Sequence, residues 1–149
     1  MISTVIVDST TYCICRGQVP TTYQLPWGDE ECDAFVAILD PQMLNAVLAA
    51  QLAKGLVDLD TDWVETMGKK SEYLHDTVDL ASVAAGRQTK VGDGSPMTVW
   101  DDDMTDFEAM VDYVQLGGQG AFDNKLVIVV GPKSAAVAFA DRIGRSPQP

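Results

Sequence analysis

Two stretches of this chain are apolar without interruption: AFVAIL at 34–39 and LVIVV at 126–130. A strand with one wet face alternates polar and apolar residues, whereas a strand covered on both faces does not. Runs of this kind, separated by amphipathic helical segments, demand a sheet with helices on both sides. Parallel strands need such helical crossovers, so the expected fold class is α/β, with a mostly parallel sheet flanked by helices. The chain of 149 residues suits one domain spanning 1–149.

Further elements follow from local signals. Thr4–Val7 and Tyr12–Arg16 read as an N-terminal antiparallel hairpin around the polar residues 8–11. Asp40-Pro41 reads as a capped helix start, with Leu44, Val47, Leu48 and Leu52 inward and Gly55 as the stop. LVDLDTDWVETM at 56–67 reads as a short strand or turn with a new helical start at 60–62, and a helix is expected over 71–85. Met97–Trp100 reads as a strand. Thr105 and Glu108 have capping-box spacing ahead of Phe107, Met110, Val111 and Val114. The last helix, from Ser134 to Ile143, turns Ala136, Phe139, Ala140 and Ile143 inward. RQTKVGDGSP at 87–96 reads as a polar turn and SPQP at 146–149 as a tail.

The formal charge is −12, from 22 acidic and 10 basic residues. That field repels phosphate backbones, so direct high-affinity nucleic-acid binding is not expected, and basic partners are favoured. No apolar run reaches the ~18 residues of a membrane span. The N-terminus lacks a basic region followed by a long apolar stretch, so synthesis and residence in the cytoplasm are expected. Cys13, Cys15 and Cys32 are an odd number with no metal-type spacing, and read as buried reduced thiols.

Three patterns carry candidate chemistry. Gly131, Lys133 and Ser134 form a strand-to-helix turn that offers backbone donors to an anion. The turn lacks the first glycine of a Walker loop, and Pro132 deletes one donor. Asp8, Asp40 and Asp101 each follow a strand. If those strands run parallel, their carboxylates converge at one sheet edge and could hold Mg²⁺. Aspartate after a strand is equally the ordinary helix cap. Trp27, in QLPWGDEE, is expected to be exposed and to contact a partner.

The chain contains no nucleophile elbow, dinucleotide loop or His-rich metal motif. The expectation is therefore a non-enzymatic acidic assembly protein, with no cofactor, acting by self-association or with other protein subunits. One concrete form is a virion or phage component, such as a connector, tail or capsid accessory protein, incorporated after synthesis. A small Mg²⁺-dependent phosphoryl-transfer or phosphate-binding protein is the alternative. An acidic DNA mimic that occupies a basic nucleic-acid-binding protein is the third.

Overall fold

A computed structural model describes residues 2–59, 61, 63–86, 97–117 and 123–145. Its six strands are β1 (Ile2–Val7), β2 (Thr10–Arg16), β3 (Asp33–Ile38), β4 (Trp63–Met67), β5 (Met97–Asp101) and β6 (Asn124–Val130). The helices are α1 (Ala46–Leu59), α2 (Ser71–Ala84), α3 (Phe107–Leu116) and α4 (Lys133–Gly144). One sheet runs β1-β2-β6-β3-β4-β5. Only the β1–β2 pair is antiparallel; the other four pairings are parallel. The α/β class and the N-terminal hairpin both follow the sequence reading.

The hairpin turns on Asp8 and Ser9, whose φ values of 49° and 70° lie in the left-handed region. A two-residue hairpin matches strand twist with that conformation, and aspartate tolerates it better than most residues.

Alternate residues of the central strands face two separate cores. Ala34, Val36, Ile38, Leu126, Ile128 and Val130 pack under α1 and α2. Phe35, Ala37, Val127 and Val129 pack under α3 and α4. Every residue of β3 is buried, which is why its run shows no alternation. All three cysteines are free and buried, with Cys13 and Cys15 on one face and their sulfurs 3.8 Å apart.

Several local expectations are corrected. Asp40 caps a single 3-10 turn, Pro41–Met43, accepting a hydrogen bond from Gln42 N at 3.1 Å. The α1 helix starts afterwards, where Asn45 Oδ1 accepts from Leu48 N at 2.8 Å. That delay shifts the inner face to Ala49, Leu52, Ala53, Leu56 and Val57, leaving Val47 67% exposed. Gly55 does not stop the helix. It sits inside α1, where a Cβ would lie 2.6 Å from Val19 Cβ, so the glycine admits the packed loop. Trp63–Met67 is strand β4, and residues 60 and 62 of the expected helical start lie outside the described residues. The cap of α3 is Asp106, one residue after Thr105, accepting from Ala109 N at 2.9 Å. The 87–96 turn and the 146–149 tail lie outside the described residues.

Candidate functional site

At the carboxyl edge of the five parallel strands, β3 leaves toward α1 on one face and β6 toward α4 on the other. Ligands in open α/β sheets bind at such a switch point. Here the gap is narrow, because Leu39 N and Asp40 N both donate to Val130 O, at 2.9 and 3.0 Å. Arg16, at the end of β2, donates from Nε to Gly131 O at 2.9 Å. Arg16, Gly17, Met43, Leu48, Val130 and Gly131 line a groove of about 260 Å³ beside it.

The anion-binding turn is only partly assembled. Gly131 is buried, while Lys133 and Ser134 are exposed in the first turn of α4. Pro132 precedes the helix in extended conformation, and no side chain caps it. Sequence reasoning missed Arg16, because its proximity to Gly131 depends on β2 lying next to β6, 115 residues away.

The three strand-end aspartates do not converge. Asp8 follows β1, which runs against the others, so it lies at the opposite edge from Asp40 and Asp101. Asp40 and Asp101 leave β3 and β5, and β4 stands between them. Two strand spacings put those chains about 10 Å apart. Asp40 and Asp101 also accept local backbone hydrogen bonds. Asp101 Oδ1 accepts from Asp103 N and Met104 N, at 3.0 and 3.2 Å. Asp102 Oδ1 accepts from Ser71 Oγ at 2.6 Å and Glu72 N at 2.9 Å, thereby capping α2 from the neighbouring loop. These bonds, the Ser71 hydroxyl foremost, hold the Asp102 carboxyl below its usual pKa.

Among the described residues, one acidic group has metal-ligand proximity. His75, Asp76 and Asp79 on α2 offer ligand atoms within 4.8 Å of one another. His75 lies 3.0 Å from Asp76 and 3.7 Å from Asp79, and its ring meets Trp100 edge-on at 6.4 Å. Thr98 Oγ1 donates to Asp79 at 2.8 Å, tying α2 to β5.

Trp27 is 8% exposed and belongs to the core under α1 and α2, so it is not displayed to a partner. The exposed aromatic of that segment is Tyr23, at 98%.

Two features escaped the sequence reading. One is a group of buried charges on the amino-terminal half of the sheet: Asp33, Glu65 and Lys125, all at most 6% exposed. Lys125 Nζ donates to the carbonyls of Val114 at 2.6 Å and Gln115 at 2.8 Å, closing the C-terminus of α3. Burial pushes its pKa down, and Asp33 and Glu65 oppose that shift. Glu65 accepts the Tyr113 hydroxyl at 2.7 Å; burial pushes its pKa up, and the tyrosine bond partly offsets this.

The other feature is the free edge of β1. Among the described residues β1 pairs only with β2. Its sequence, ISTVIV, has no charge, no proline and no glycine. Val5 and Val7 pack toward the core under α4. On the other face Ile2 is 39% exposed, Ile6 is 69% exposed, and Thr4 between them is exposed.

No family model and no curated protein matches this chain. What defines its class is the fold: a three-layer α/β domain with a six-stranded, mostly parallel sheet. No helix among the described residues is long and apolar enough to cross a membrane.

Proposed function

We propose that this chain is a non-enzymatic, acidic assembly protein that joins to a second copy through the β1 edge. The observation that supports the reading is one uncharged, six-residue edge strand on a chain of net charge −12. An unprotected edge presents a row of unpaired N–H and C=O groups, and proteins that must stay apart blunt such edges with charge, proline or bulges. The β1 edge has none of these devices.

A second copy is the natural occupant because the strand is self-complementary. In an antiparallel pairing centred on Thr4, Ile2 of one copy faces Ile6 of the other, and the two threonines face each other. Cross-strand pairs of these types each stabilise a sheet by about 0.2–1 kcal/mol. Asp8 falls beyond the end of that ladder, so the carboxylates stay clear of it. Strand pairing alone buries less than the roughly 1,200 Å² of a standard interface, so the dimer is of micromolar affinity and opposed by net charge.

Sedimentation velocity tests this. The wild type is expected as a dimer at about 100 µM in moderate salt, and Thr4→Lys as a monomer. A wild-type monomer under those conditions, or a Thr4→Lys protein that still dimerises, overturns the reading.

A further inference from the structure

We propose that the cleft beside α3 binds a small organic cation, with Glu65 as its counter-ion and Trp63 and Tyr113 as aromatic walls. The cleft has a volume of about 420 Å³ and is lined by Trp63, Glu65, Ala109, Asp112, Tyr113, Leu116 and Gly117. That volume is within the range of small-molecule sites.

Glu65 is the reason to expect a ligand. It is 3% exposed, yet its Oε2 is buried without a hydrogen-bond partner, while Oε1 takes the Tyr113 hydroxyl. An unsatisfied carboxylate oxygen costs about 1–3 kcal/mol or more, and a structure retains such a group where something else uses it. The Trp63 indole N–H is also buried and unpaired. It lies close enough to Glu65 to favour the charged form of the carboxyl.

The surroundings select the sign of the ligand. Asp112 and Tyr113 face the cleft from α3, and Asp33 on β3 acts on Glu65 from behind. Asp101 on β5 acts on Tyr113, whose hydroxyl is pushed up to about 12, chiefly by burial, and stays neutral. Lys125 on β6 is the opposing charge, but its ammonium is committed to the carbonyls ending α3. An anion would meet carboxylates here. A cation balances the buried carboxylate charge from the cleft and stacks on the two rings, an arrangement that guanidinium groups favour. Ala109 and Leu116 accommodate a short alkyl tail.

Calorimetric titration of the full chain with butylguanidinium, and with the uncharged isostere butylurea, tests the proposal. Butylguanidinium is expected to bind at least about tenfold more tightly. Its affinity should fall as acid protonates Glu65. Glu65→Gln, which keeps the shape and the Tyr113 contact, should erase the preference for the cation. Equal affinity for the two probes, no butylguanidinium binding up to about 10 mM, or an undiminished preference in Glu65→Gln overturns the proposal. The two-probe comparison on the wild type stands even if that variant does not fold.

Discussion

The two edges of the sheet are built on opposite plans. At one, β1 presents six residues without charge, and its outer face carries Ile2, Thr4 and Ile6 toward solvent. At the other, β5 has five residues, MTVWD, and runs into Asp101, Asp102 and Asp103. Asp79 and His75 of α2 lie against β5 through Thr98 and Trp100. Acid along an edge repels a second copy of an acidic protein, so β5 is defended and β1 is open. The difference teaches that a large net charge steers the proposed association toward the surface that lacks charge.

The most damaging test of this contrast places a lysine at each edge. Thr4→Lys sets two like charges opposite each other at the centre of the proposed pairing and should weaken the dimer by about 100-fold or more. Trp100→Lys, on β5, should leave the dimer unchanged. Equal effects at both edges would end the distinction.

The acids beside β5 have a second task, and this gives the next largest effect. Asp102→Ala removes the cap of α2 and strands Ser71 Oγ and Glu72 N, for an expected loss of about 1 kcal/mol in chemical denaturation. The Asp102 pKa is depressed in the folded state, so this stabilisation is fully present above the ordinary value of 3.8. It disappears as pH falls through the lower, folded value. Asp102→Ala should therefore lose its difference from wild type in strong acid.

Salt separates the edges by mechanism. If net charge is what opposes β1 pairing, raising NaCl from about 50 to 500 mM should tighten the dimer several-fold. An association driven by charge pairs would weaken instead. Sedimentation at the two salt concentrations distinguishes them.

A smaller effect concerns Glu65, one strand in from β5. Its folded pKa lies above the ordinary 4.5, so the folded state holds this proton more tightly than the unfolded chain does. Wild-type stability therefore falls as pH climbs from 4.5 through the folded value, and Glu65→Gln is free of that slope. In the monomeric Thr4→Lys background, the melting temperature of Glu65→Gln relative to its parent should rise between pH 4 and pH 7. Millimolar Mg²⁺ should change the wild-type melting temperature least of all, because Asp8, Asp40 and Asp101 are held apart. A rise that Asp40→Asn or Asp101→Asn abolishes would restore the metal-site reading.

How much of this was readable beforehand depended on whether a residue's environment is local. AFVAIL and LVIVV announced the fold because burial on both faces leaves its mark on consecutive residues. The face of α4 that carries Ala136, Phe139, Ala140 and Ile143 was legible from helical spacing alone. Strand β4 was legible only as a short strand or turn without bounds, since WVETM places Glu65 and Thr66 in the interior and breaks the apolar run. Gly55 misled because a helix stop and a close loop contact call for the same residue. The candidate site was the least legible. Tyr113 reaches Glu65 across 48 residues, and Arg16 reaches Gly131 across 115. Asp8 was misplaced because the direction of β1 is set by the hairpin and not by the aspartate that ends the strand. The openness of β1 became visible only when strand order put it at the margin.

Amide hydrogen exchange as a function of protein concentration tests the β1 edge most directly. The N–H groups of β1 that point away from β2 should gain protection as concentration rises through the dimer range, while the outward N–H groups of β5 keep exchanging rapidly. Outward β1 amides that exchange rapidly at every concentration, or protection that builds at β5 instead, would contradict the account.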